Sequence, residues 1–232
     1  KPPSRRFFSA IMVVEAAMNT TKLILRYIIF LTGLFLMGLG ISLTTKSSLG
    51  TTPISSLPLV LSRIFPLSFG QLAFLLSLAF VLTELILLGR KFSKEQYLQI
   101  LVGPFFGLFI DLGMMIFKGL SPLTYPGRLL VLLIGCVVLA MGVYLQVAAR
   151  VVINPGEGVV KVIADLTGSN FGNIKILFDT GLFLIALVIS LAVFGDMESM
   201  REGTLIVALA TGTITKIYKA IFDRLGVDGL YR

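Results

Sequence analysis

The residues with chemistry to offer gather around Asn154-Pro155-Gly156-Glu157-Gly158. Glu157, Lys161 and Asp165 follow at four-residue spacing, which on a helix makes one polar stripe of alternating sign. Long apolar segments lie on both sides, and a charge within such a segment is costly unless it is paired or has a ligand. Glu157 suits three roles, namely pairing with Lys161, coordinating a cation, or carrying a proton. The Pro/Gly break before it exposes backbone N–H groups, and Asn154 and Gly156 leave room for a solute or for the turn itself to take them. A second polar group, Thr51, Thr52 and Ser55, surrounds Pro53 and is uncharged. Hydroxyls at one break and charges at the other read as a site for two different groups of one solute. Asp111 is a lone carboxylate in mid-segment that needs a partner or a function. The candidate binding residues are therefore Thr51, Thr52, Ser55, Asp111, Asn154, Gly156, Glu157 and Lys161. Lys175 and Asp179 are again four apart, whereas Glu84, near the end of its segment, reads as structural.

The composition narrows the chemistry further. Of 232 residues, 56% are hydrophobic and 14% charged, about half the charge of a soluble domain, and the apolar residues come in long blocks. This is the profile of a polytopic membrane protein. The 20 Lys and Arg against 12 Asp and Glu then mark the flanks of spans, with no nucleic-acid partner implied. There is no His, and the one cysteine, Cys136, sits in an apolar segment, so neither a disulfide within the chain nor a metal cluster is expected. Without His, acid–base chemistry would fall to Asp, Glu or Lys alone, and no enzyme, metal or cofactor is expected. No ATP-binding loop is present, so any pumping would draw on an ion gradient or a partner.

Six segments, roughly 23–44, 70–89, 97–117, 127–149, 172–194 and 203–223, are long enough to cross a bilayer. Two shorter runs, 52–65 and 155–167, open on Pro after Thr or Asn, which is cap chemistry followed by Pro at the first helical position, and read as half-helices. Residues 1–22, interrupted by Glu15, are too short to span and read as a leader or interfacial segment.

The chain also repeats itself. Pro155 lies 102 positions after Pro53, and Phe171-Gly172-Asn173 lies 102 after Phe69-Gly70-Gln71. Met141-Gly142 matches Met37-Gly38 and Arg150 matches Lys46 at 104, while Gly212 matches Gly107 and Lys216 matches Asp111 at 105. The organisation expected is a leader over 1–22, repeats over 23–120 and 121–226, and a tail over 227–232. Lys1, Arg5, Arg6, Lys22 and Arg26 place the N-terminus inside, as do Arg90, Lys91 and Lys94 for one loop and Lys216, Lys219 and Arg224 for the C-terminus. Asp196, Glu198 and Glu202 fall outside, with Lys118 and Arg128 in mild conflict. Three spans per unit is an odd number, so the units must be inverted: an all-α membrane protein of six transmembrane helices in two inverted three-helix repeats, each with a re-entrant half-helix. Facing half-helix N-termini favour an anionic group, whereas Glu157 left free favours a cation or proton.

With the repeats laid out, the chain resembles the YczE/YyaS/YitT-type bacterial integral membrane proteins. The likeness is carried by Met37-Gly38-Leu39-Gly40, Ser48-Leu49-Gly50-Thr51-Thr52-Pro53, Phe69-Gly70-Gln71, Asn154-Pro155-Gly156-Glu157-Gly158 and Phe171-Gly172-Asn173. It implies a bacterial plasma-membrane protein and supplies neither substrate nor site residues. The repeat pattern itself suits an alternating-access transporter of a small polar or charged solute, with a coupling ion or proton, lipid around it and a homodimer as an option. A channel or uniporter and a non-transporting accessory or regulatory protein share these features.

Overall fold

The computed structural model describes residues 5–92, 96–121, 124–196 and 201–225, with side chains from Lys22 onward. Every regular element among them is helical. α1 (Arg5–Lys46) is the longest. Its helix runs on from residues 5–22 into the first span, because no Gly or Pro occurs between Arg5 and Gly33 to break it. α2 (Pro53–Ile64) starts on the Thr52 cap and stops where Phe65, forced into extended backbone by Pro66, ends it. α3 (Phe69–Leu88) opens on a reciprocal capping box between Ser68 and Gln71. α4 (Leu98–Ile116) and α5 (Tyr125–Ala149) follow, the latter capped by Thr124. α6 (Pro155–Thr167), α7 (Phe171–Phe194) and α8 (Glu202–Arg224) complete the series, with α6 and α7 each ended by a left-handed glycine, Gly168 and Gly195. Lys94, Glu198 and the tail over 227–232 lie outside the described residues.

α1 from Lys22, α3, α4, α5, α7 and α8 are long and apolar enough to cross a membrane. Their outer faces carry aliphatic side chains such as Ile86, 81% exposed, and Leu209, 75% exposed, which suit hydrocarbon and not water. The chain is a multi-pass, all-helical membrane protein.

Glycines set the helix crossings, since lipid supplies no hydrophobic drive between helices and close backbone approach must do the work. α1 and α5 cross antiparallel at the centre: Gly33 meets Gly142, Gly40 meets Leu139 and Thr44 meets Gly135. A methyl group added at Gly40 would fall 2.5 Å from the Leu139 backbone nitrogen. α4 runs parallel to α1, where Gly38 touches Phe109 and the Ser42 hydroxyl donates to the Ile110 carbonyl at 2.9 Å. α8 runs parallel to α5, where Tyr144 stacks on Phe222 with centroids 4.8 Å apart.

The pairing repeats. α1 on α4 is matched by α5 on α8, α2 on α3 by α6 on α7, and each short helix crosses to the other unit, α2 onto α7 and α6 onto α3. The backbone repeats as well: the two non-glycine residues at positive φ among those described, Ser48 (56°) and Arg150 (50°), are 102 positions apart and follow α1 and α5. By backbone, then, Arg150 corresponds to Ser48, two residues on from the Lys46 that the sequence pairs with it. The match fails at one place. α3 packs closely on α4, but α7 and α8 at most graze one another.

If the α1/α5 seam holds the fold, Gly40→Val should cost about 3 kcal/mol through overpacking. Gly181→Ala, with nothing within 4 Å, should leave stability unchanged or raise it by up to about 1 kcal/mol. Thermal unfolding in detergent checks both.

Candidate functional site

The first turns of α2 and α6 meet. Gly156, at the start of α6, lies against the Ile54 side chain at the start of α2, with Phe80 of α3 alongside. A side chain at Gly156 would displace the end of the Ile54 side chain. Ile54, Phe80, Val159, Leu182 and neighbouring apolar side chains form one cluster under them.

Each break satisfies its own backbone locally. At the first, the Thr52 hydroxyl accepts from the Ser55 N–H at 3.2 Å and donates to the Ser55 hydroxyl at 2.6 Å. Thr51 is fully buried and accepts from the Thr45 hydroxyl at 3.1 Å. The approach to this break is seated on the start of α8, where the Gly203 N–H donates to the Leu49 carbonyl at 3.0 Å. At the second, the Asn154 side chain accepts from the Gly156 N–H at 3.3 Å, while its carbonyl accepts from Glu157 and Gly158, each at 2.9 Å. The end of α5 is held from a distance. The Arg26 guanidinium on α1 donates to the Ala149 carbonyl at 2.8 Å and to the Arg150 carbonyl at 2.6 Å. A cation over the C-terminus of a helix also suits its dipole.

The structure thus brings Thr52, Ser55, Asn154, Gly156 and Glu157 onto two touching helix starts, with Thr51 just behind. Two candidates stand elsewhere. Lys161 is exposed, as is Asp165, and neither pairs with Glu157, so the expected self-neutralising stripe does not form. Glu157 instead lies in the field of Lys175 and Asp179 on α7, which pair with each other at 2.9 Å. Asp111 acts as a clamp. Its carboxylate accepts from the Ser68 hydroxyl and from the Gly70 N–H at 2.8 Å, fixing the N-terminus of α3 onto α4. Gly70 sits so close to Gly107 that no side chain fits at either.

Two features escaped the sequence reading. Arg26 looked like a topology charge, since its carbonyl partners are more than a hundred residues away. Glu84, passed over as structural, is fully buried and takes both Gln96 and Gln99 as donors to one oxygen. The only local signal was an acid close to a span end with two glutamines after the turn.

Fold and site together define a multi-pass helical membrane protein in which two short, capped helices meet start to start. The chain matches the Family of unknown function (DUF6198) over residues 24–220 and belongs to it. It is similar to "Uncharacterized membrane protein YczE" of Bacillus subtilis (strain 168), 29% identical over 84% of this chain and 86% of that protein. It is also similar to "Uncharacterized protein YyaS" of the same organism, 26% identical over 86% of this chain and 95% of that one. No solved structure matches it.

The Asp111 clamp makes a measurable claim. Asp111→Ala should destabilise by about 2–3 kcal/mol, because it strips a charged acceptor from two donors. In a Ser68→Ala background the same change should cost less. Equal losses in both backgrounds, by thermal unfolding in detergent, would show that Ser68 and Asp111 act independently.

Proposed function

We propose that this protein moves a small polar or charged solute across a bacterial plasma membrane by alternating access, with α2 and α6 as re-entrant half-helices that form the site between two inverted units. The observation that carries the reading is the unequal closure of matched helix pairs. α3 and α4 are locked by Gly70 against Gly107 and by Asp111. Their counterparts Gly172 and Gly212 stand clear. Nothing lies within 4 Å of a methyl added at Gly212, and only the Asn170 amide oxygen lies near one at Gly172. Two units built alike but closed unequally fit one end state of a carrier whose other end state exchanges their roles. Lys216 holds the position in α8 that Asp111 holds in α4. A lysine brought to the N-terminus of α7, as Asp111 is to that of α3, would oppose the helix dipole, which fits this pair resting open.

Inversion is supported by the antiparallel α1 and α5, by three spans in each unit, and by the crossing of each short helix to the other unit. The Lys and Arg pattern supports cytoplasmic termini. Glu157 at the meeting point, in the field of Lys175 and Asp179, is the residue suited to read the solute or a coupling ion. A second reading, a homodimer or accessory protein, is favoured by the same open glycines, which would seat a helix from another chain.

Both readings meet one experiment. In a Cys136→Ser background, Gly172→Cys with Gly212→Cys should form a disulfide within the chain in part of the population in liposomes. Dimers formed by Gly172→Cys alone would favour the second reading, and the absence of any link would sink alternating access. A thermal-shift panel of amino acids, carboxylates, amines and sugar phosphates then tests the site. A solute that stabilises the parent should lose most of its shift in Glu157→Gln. If it acts equally on both, the site lies elsewhere and α6 is structural.

A further inference from the structure

Glu84 lies on α3, one turn before its end, with its side chain 0% exposed. The Gln96 and Gln99 amides both donate to Oε2, at 3.1 and 3.3 Å. Oε1 has no hydrogen-bond partner, and neither does Oε1 of Gln99, itself 2% exposed. Two acceptor oxygens are thus buried at one spot without a donor. The wall over Glu84 is α6: Gly158 presents its bare Cα to the carboxyl, and a methyl group there would collide with Glu84 Oε1.

Among the described residues, no positive charge answers this carboxylate. From α4 and the turn before it, among the described residues, it meets the amides of Gln99 and Gln96, and Asp111 is occupied at the opposite end of α3. On α6, Lys161 and Asp165 are exposed and Glu157 lies in the field of the α7 pair. On α2, Arg63 stacks on Phe194 and pairs with Asp196, while Arg90 and Lys91 of the turn after α3 are exposed. An ionised carboxylate, wholly buried with a bare oxygen and no described counter-charge, is strongly disfavoured. A metal ion would need a cage of about six oxygens around it, and here the free oxygen abuts Gly158. A proton needs no room. Packing does not demand the acid either: the position 102 residues on, Ala186, is equally buried and faces α2 as Glu84 faces α6.

We propose that Glu84 is a proton-binding site sealed by α6, with Oε1 protonated while Gly158 sits over it and the proton exchanged when α6 lifts. The ionised form cannot return beneath α6, so closure of the half-helix requires the proton. This deepens the transport reading by naming the coupling ion, and it rests on that reading for the coupling, though not for the protonation.

Infrared difference spectra of the reconstituted full chain test it. The parent should show a protonated-carboxyl band that bleaches as pH rises and that is absent in Glu84→Gln. Gly158→Ala, which holds α6 off the carboxyl, should exchange this proton for deuterium at least about tenfold faster, since exchange follows local opening. This second variant keeps the test open if Glu84→Gln fails to fold. A spectrum without a Glu84-dependent band, or a band indifferent to both pH and Gly158→Ala, overturns the proposal. In the cysteine pair on α7 and α8, the pH profile of disulfide yield should shift when Glu84→Gln is added, thiol ionisation being common to both chains. A titrating band alongside a pair that never links would leave the proton site standing and remove the transport cycle it serves.

Discussion

Backbone at membrane depth has no water to bond, so every interruption of a helix must find its donors and acceptors within the protein. Two short helices, α2 and α6, interrupt the series of span-length helices in this chain, and their backbone groups are met within the protein in the same way. Thr52 and Asn154 cap the two short helices, the start of α8 receives the Leu49 carbonyl, and Arg26 covers the end of α5. The seam of glycines between α1 and α5 brings these distant partners within reach. The short helices can then meet at Ile54 and Gly156 with their first turns capped.

The spans and short helices were legible because the signals that define them are local. Each of the later spans lies within two residues of its expected limits, since Pro, Gly and cap residues punctuate long apolar runs. The helix of α1 begins well upstream of its span for the same kind of reason, an absence of any breaker after Arg5. The candidate site was legible in part. Cap chemistry located Thr52, Ser55, Asn154 and Gly156, which the structure gathers at one place. Asp111, Lys161, Arg26 and Glu84 were harder because what a charged residue does depends on partners remote in sequence. Asp111 finds Gly70 on another helix, and the four-residue spacing that suggested a Glu157–Lys161 pair is met by an exposed Lys161, while Glu157 lies in the field of the α7 pair.

The two units share a plan but have diverged in what each contact carries. Where α6 rests on α3 there is a carboxyl; where α2 rests on α7 there is alanine. Where α3 closes on α4 there is a carboxylate clamp, and the matching place on α8 holds lysine. Repetition supplies a common geometry, and substitution at a few matched positions makes the halves unequal in charge and in closure.

The Arg26 contact has a consequence for biosynthesis. Its acceptors lie 123 and 124 residues downstream, so α1 enters the membrane with a guanidinium that has none of its final partners. At ribosomal rates of about 5–20 residues per second the wait is roughly 6–25 s. Through that interval the arginine must stay near the lipid headgroups, holding α1 at a provisional depth. The first half of the chain therefore completes its packing only after the second has been made, and the protein assembles as an interleaved whole rather than half by half.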